Sequence, residues 1–238
     1  MKLQLALSIG LCLSLAVPVA ALADTVESAS VNEALSAAAM PQQGLSPADQ
    51  ALGLIQTRWA EIKYQVAQKQ QDDAYQALLA DVDKLRAQYP DDLRLAVWQG
   101  IILSTQAGAR GGLGALSLCK QARTVFEQAI AADAAVLEGS AYTSLGSLYY
   151  QVPGWPIGFG DDDKAKELLL KGLAINPNGI DANFFYADFL FDQGDYQGAA
   201  AALQKVLSAP SRPGRDLADQ GRREEAEVLL AKVKRKLS

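Results

Sequence analysis

The chain has 238 residues, 27 acidic against 22 basic side chains for a net charge of −5, and no histidine. Histidine is the commonest general base and metal ligand, so Ser/His and Cys/His nucleophile pairs and histidine-bound zinc are excluded together. The acidic balance, with basic residues concentrated only at Lys232, Lys234, Arg235 and Lys236, argues against nucleic acid as the partner.

At the N-terminus, Met1–Lys2 gives a minimal basic start and Leu3 to Val17 is an almost uninterrupted apolar run. Pro18 breaks it, and Ala21-Leu22-Ala23 supplies the small-x-small pattern of a cleavage site. The expectation is a signal peptide over 1–23, cut after Ala23, and a periplasmic or secreted protein. The run is shorter than the ~20 residues a spanning helix needs, so no membrane span is expected after cleavage. Leu11 stands where lipidation at Cys12 requires a small residue. Cys12 leaves with the signal, Cys119 is then the only cysteine, and no intramolecular disulfide can form. Residues 24–47, rich in Ala, Ser and Gln, read as a flexible leader.

The pattern becomes helical at 48. Ser46 suits an N-cap and Pro47 the first helical position, with Leu52, Ile55, Trp59, Ile62 and Val66 recurring on one face. A second helix is expected from about Asp72 to Gln88, stopped by Tyr89-Pro90. Three helix-turn-helix segments follow. The first carries Gly100 and Leu103, then Ala122, Phe126 and Ala129. The second carries Tyr142, Gly146 and Tyr149, then Ala165, Leu169 and Gly172. The third carries Tyr186, Ala187 and Leu190, the turn Gly194-Asp195-Tyr196, then Ala199, Leu203 and Val206. Ala165 and Ala199 are 34 residues apart, whereas Ala122 and Ala165 are 43 apart, which demands an insertion.

These small residues in matching places resemble the tetratricopeptide repeat family, where they let paired helices approach closely. The fold class is accordingly all-α: a tetratricopeptide-like α-solenoid of three to four helix pairs over 48–238, the first pair degenerate, with two inter-helix insertions. Ala218 to Leu237 reads as a C-terminal capping helix whose outer face carries Arg222, Arg223, Glu224 and Glu225.

The insertions are the departures. Ala107 to Gly114 reads as a glycine-rich connecting loop; it lacks the spacing and the lysine of a phosphate loop. Val152 to Gly160 places Trp155, Ile157 and Phe159 among prolines and glycines, either folded back on the core or presented at the edge of a binding surface. Asp161-Asp162-Asp163 reads as a helix start rather than a calcium loop, so no metal and no cofactor is expected.

The run from Tyr150 to Asp162, with Pro153-Gly154 and Gly158-Phe159-Gly160, is similar to the TRAP-transporter T-component (TatT-like) family of periplasmic helical-repeat proteins, over roughly Leu93 to Val233. That resemblance implies a groove or pore associated with a periplasmic substrate-binding protein, and small apolar ligands. Members are usually lipid-anchored, which this chain does not match.

In a solenoid the first helix of each pair lines the concave face. The positions facing inward are Thr143, Ser147, Tyr150 and Gln151 in one copy and Phe184, Asp188, Phe191 and Asp192 in the next. The alternative for Phe184 and Phe191 is packing against a neighbouring helix. The sequence points to a binding or scaffold protein that engages a protein or peptide partner through this groove. An accessory ligand-binding subunit of a TRAP-type transporter is the alternative. An enzyme using carboxylates alone is a third reading, although nothing in the Asp and Glu spacing selects a catalytic pair.

Overall fold

The structure is a computed structural model that describes residues 44–238. The signal peptide and nearly all of the leader lie outside the described residues. Among the described residues there are nine helices: α1 (Pro47–Tyr64), α2 (Gln68–Gln88), α3 (Leu93–Arg110), α4 (Gly112–Ala132), α5 (Val136–Gln151), α6 (Asp162–Ile175), α7 (Ile180–Asp192), α8 (Tyr196–Ser208) and α9 (Asp216–Leu237). None of them is long and apolar enough to cross a membrane.

Local chemistry sets the helix ends. Ser46 caps α1 in a reciprocal box with Asp49, and Pro47 occupies the first turn, as the sequence suggests. Val66 lies beyond the end of α1, in the turn, and α2 begins four residues earlier than its pattern implies, at Gln68. The Gln71 amide donates to the Lys63 and Val66 carbonyls, which fastens this tight corner. Asp161 caps α6 by accepting from the Lys164 amide, and Asp195 caps α8 by accepting from Gly198. In α5 the residues Leu137, Glu138 and Gly139 are left-handed, so regular helix begins only at Ser140.

The glycine-rich stretch 107–114 is not the loop its composition suggests. Ala107 to Arg110 complete α3, Gly112 to Gly114 begin α4, and Gly111 alone separates the two helices. Gly111 and Gly112 both have positive φ, 64° and 58°, where a β-carbon is disfavoured, so the reversal takes one residue. The inserted length appears as additional helix: α3 and α4 have 18 and 21 residues against 13 each for α7 and α8.

The pairs α3/α4, α5/α6 and α7/α8 pack face to face in the tetratricopeptide manner. The repeated alanines Ala122, Ala165 and Ala199 are all fully buried on the second helix of their pairs. A β-carbon on Gly100 would meet the Phe126 ring at 2.5 Å. One on Gly146 would meet Leu169 Cγ at 2.8 Å and the Leu169 backbone nitrogen at 3.1 Å. The core is a chain of three clusters, carried by α1–α3, by α3–α6 and by α6–α9, each helix pair burying its face against the next.

The last helix departs from a simple cap. Its Ala226, Leu229, Leu230 and Val233 do cover the final pair, but Ala218 joins the core cluster of α1–α3. Gly221 lies against Tyr64: a β-carbon there would sit 2.4 Å from the ring. Lys63 pairs with Glu225 at 2.9 Å. The solenoid therefore closes on itself, α9 meeting α1. The charged face expected to point outward is divided: Glu224 is exposed, while Arg222 is 5% exposed and turned inward with Glu225.

Two helical glycines separate packing from propensity. Gly146→Ala must displace Leu169 against backbone and should cost about 1–3 kcal/mol, lowering the melting temperature by several degrees. Gly53→Ala in α1 meets nothing within 4 Å and should stabilise by about 0.5–1 kcal/mol. Thermal denaturation checks the opposite signs; equal effects would contradict the close-packing account of Gly146.

Candidate functional site

Closure converts the inner face of the solenoid into a central cavity of about 2520 Å³. This is well above the roughly 300–1,000 Å³ of a small-ligand pocket. Helices α5 and α7 form one wall. Thr143, Ser147, Tyr150 and Gln151 of α5 and Phe184, Asp188, Phe191 and Asp192 of α7 all border it. Gln151 and Asp192 are exposed, whereas Thr143 and Ser147 are buried at the base of the wall. The Ser147 hydroxyl donates back to the Ser144 carbonyl, and Gly172 leaves room for the Thr143 hydroxyl at the α5/α6 contact.

The centre of this wall is a hydrogen bond between copies. The Tyr150 hydroxyl donates to Asp188 Oδ2 at 2.7 Å and accepts from the Gln151 amide at 3.1 Å. Burial, and then the Asp188 charge, push the Tyr150 hydroxyl well above the usual phenol range. Burial also raises the Asp188 carboxyl. Phe184 and Phe191 do both things asked of them in the sequence. Each borders the cavity; Phe191 packs on the Tyr196 ring of α8 at 5.5 Å, and Phe184 meets α9 through the Arg222 guanidinium, 4.4 Å from its ring centre.

The aromatic loop divides in two. Phe159 turns back, edge-on to Tyr149 at 5.4 Å and beneath the Arg123 guanidinium at 4.9 Å, and does not border the central cavity. Trp155 is 90% exposed and Ile157 53% exposed, both on the cavity rim. The loop is held by its own backbone: Gly160 donates to the Pro153 carbonyl and Asp161 to the Tyr149 carbonyl. Gly160 is required, because a β-carbon there would overlap the Val152 carbonyl at 1.9 Å.

The opposite wall, from α1–α3 and α9, is absent from the sequence reading. Trp59 stacks edge-on with Tyr64 and Trp98, and Arg215 lies over the Trp98 ring at 5.1 Å. At the seam Arg222 donates to Asp181 Oδ1 at 2.9 Å and Glu225 Oε2 at 2.6 Å, with its guanidinium 4.4 Å from the Phe184 ring centre. Arg212 donates to Asp181 at 2.8 Å and, through side chain and backbone, to the buried Asp219. A signal for this did exist. Arg222 stands midway between Ala218 and Ala226, inside the stripe that continues to Leu229 and Val233. No periodic cue marks the convergence of Trp59, Tyr64 and Trp98 with Arg215.

Among the described residues no group of Cys, Asp and Glu is arranged to hold a metal ion. Asp162 and Asp163 are exposed in the first turn of α6. The one described cysteine, Cys119, is buried and unpaired, and burial raises its thiol to about 11, which leaves it unreactive near neutrality.

No family model and no curated protein matches the chain. Among solved structures it is similar to one described as the crystal structure of MamA protein, at 18% identity and a TM-score of 0.40, covering 77% of this chain and 92% of that one. The fold assignment rests on the helix pairs themselves.

The seam gives a pH signature. Burial works to raise the carboxyls of Asp181 and Glu225, but the Arg222 charge, helped by Arg212 and Lys63, outweighs it and holds both below the usual range. A carboxyl depressed on folding stabilises above its unfolded pKa of about 4, and that stability is lost as pH falls through the folded value. Arg222→Met leaves Asp181 with Arg212 and Glu225 with Lys63 as their remaining cations, and should cost about 1.5–3 kcal/mol at neutral pH. The deficit should narrow below about pH 4 as the two weakened carboxylates take up protons. Denaturant titrations at several pH values test this; a deficit independent of pH would mean the loss is one of packing.

Proposed function

We propose that this chain is an exported, non-catalytic binding protein that holds its ligand, a small molecule or a peptide segment, inside the closed helical-repeat ring. The observation that carries this reading is the closure of α9 on α1, which bounds the inner face on both sides as a large, partly open cavity. Phe184 and Phe191 supply aromatic contact area on one wall, the edges of the largely buried Trp59 and Trp98 border the other, and Tyr150, Asp188 and Gln151 supply oriented polar groups. Rings for area and a few polar groups for orientation are the usual makings of a recognition site. A catalytic reading lacks support, since the Asp188 carboxylate is engaged by Tyr150 and those of Asp181 and Glu225 by cations. Export rests on the N-terminal pattern of residues 1–23.

A second reading, docking of a protein partner at the rim, is favoured by Trp155 and Ile157. Large apolar side chains so exposed beside a cavity mouth are a protein-contact signature. It fits the accessory-subunit role that the resemblance to TRAP-transporter T-components implies, with a periplasmic substrate-binding protein as the partner. The two readings are compatible, one using the interior and the other the rim.

Native mass spectrometry of the full chain, purified without denaturation from an exporting host, separates them. A bound mass should accompany the wild-type chain and be lost in Ser144→Trp, which places bulk on the α5 wall. Circular dichroism should be unchanged. Trp155→Ala should retain that mass, and its stability should lie within about 0.5 kcal/mol of wild type because the side chain is exposed. A bound mass that survives Ser144→Trp but is lost with Trp155→Ala would move the site from the interior to the rim.

A further inference from the structure

The α1–α3/α9 wall collects hydrogen-bond donors that nothing in the protein accepts. Five buried side-chain atoms have no partner among the described residues: four that can donate, Arg215 Nε, Trp98 Nε1, Tyr64 Oη and Tyr75 Oη, and one acceptor, Gln106 Oε1 of α3, on a residue that does not border the central cavity. Trp98 and Tyr75 are 3% and 0% exposed, and all four residues border the central cavity. An indole N–H and a guanidinium N–H can only donate, and a phenol can donate, so one kind of group satisfies the set. Leaving such donors buried and unpaired is costly, which makes their clustering informative.

The charges agree. Around the seam stand four cations, Lys63, Arg212, Arg215 and Arg222, and three carboxylates, Asp181, Asp219 and Glu225. Every carboxylate is occupied: Asp219 by Arg212, Asp181 by Arg212 and Arg222, Glu225 by Arg222 and Lys63. Arg215 is left without an ion pair, its guanidinium lying on the Trp98 face and within electrostatic reach of the Tyr64 hydroxyl. Burial, and then the neighbouring Arg212, disfavour its positive charge, a penalty that an incoming negative group would relieve.

We propose that Arg215, Trp98 and Tyr64, with Tyr75 as a further donor on the same wall, form a subsite for the oxyanion group of the cavity's ligand, a carboxylate or a phosphate. Arg215 supplies the charge and Nε–H, Trp98 Nε1–H adds a donor from the wall, and the Tyr64 hydroxyl closes the set. The cavity is far larger than an inorganic anion, and Ile101, Leu137, Phe184 and Phe185 border it beyond the donors, so the anion is the head of an organic molecule with an apolar body. The opposite wall could not share this role, because the Asp188 and Asp192 carboxylates would repel an anion there.

This inference rests on the reading of the cavity as the ligand site, and the experiment separates the two. The full chain is titrated calorimetrically with decanol, decanoate and decyl phosphate at about pH 8, where both acids are ionised. At least one anionic probe should bind about tenfold or more tightly than decanol, as a charge-assisted hydrogen-bond set implies. The preferred anion identifies the head group. Arg215→Gln should bring the anions to within about twofold of decanol while decanol binding is unchanged. Trp98→Phe, which keeps a ring beneath Arg215 and removes only the N–H donor, should weaken anions and spare decanol. If decanol matches both anions, or the preference survives Arg215→Gln in a folded variant, the oxyanion subsite is wrong although the cavity binds. If no probe binds, both the subsite and the cavity reading fall.

Discussion

The meeting of α9 with α1 governs everything described above. A repeat solenoid ordinarily ends in a cap with a polar outer face, and its inner surface remains an open groove. Here the last helix has two duties. It covers the final pair with Ala226, Leu229 and Val233, and it reaches back to the first helix with Ala218, Gly221, Arg222 and Glu225. Gly221 permits the approach, since any side chain would overlap Tyr64, and the ion network beside it fixes the register. A buried ion network adds little net stability over well-packed apolar residues, because desolvation offsets attraction. Its effect here lies in holding one arrangement of three separate elements, α1, α7 and α9. Arginine suits that position: its planar fork serves two carboxylates while its face rests on the Phe184 and Phe185 rings.

Enclosure changes the physics of the inner face. The Tyr150–Asp188 bond joins consecutive repeats across a surface that would be wet in an open groove. Within the cavity, burial raises both groups, so their hydrogen bond is made in a setting where it is electrostatically stronger. The same reduced solvation raises the cost of the unpaired donors on the facing wall. The two walls therefore have opposite character. Phenyl rings and the carboxylates of Asp188 and Asp192 line α5 and α7, while unpaired donors and indole rings, beside the α9 carboxylates of Glu224 and the ion-paired Glu225, line the facing wall. A ligand with an acidic head and an apolar body would be oriented by that difference alone.

Much of the architecture was legible in the residues because repeat packing is written locally. Ala122, Ala165 and Ala199 mark the buried contact of each second helix, and Ser46, Asp161 and Asp195 mark helix starts by side-chain chemistry. The inward positions of α5 and α7 also follow from helical period, given one packing residue as a reference. The stretch 107–114 was misleading because glycine composition reads as a loop, yet two positive-φ glycines can reverse a chain within a single residue. Charge at Arg222 and Glu225 was misleading in a different way. Charged residues usually mark a solvated face, and their burial depends on partners at Lys63 and Asp181, far away in the chain.

The sequence by itself determined the helical fold class, the pairing of the later helices, the packing glycines and alanines, and candidate inward positions on two repeats. These follow from period, capping and side-chain size, which act over neighbouring turns. Only the tertiary structure decided that the solenoid closes, that Phe159 turns to the core while Trp155 stays in solvent, and that Arg215 is left unpaired beside Trp98 and Tyr64. Closure is the sum of small rotations accumulated from repeat to repeat, with Gly221 allowing the final approach, whereas Phe159 is placed by the loop's own backbone bonds and by Tyr149 and Arg123.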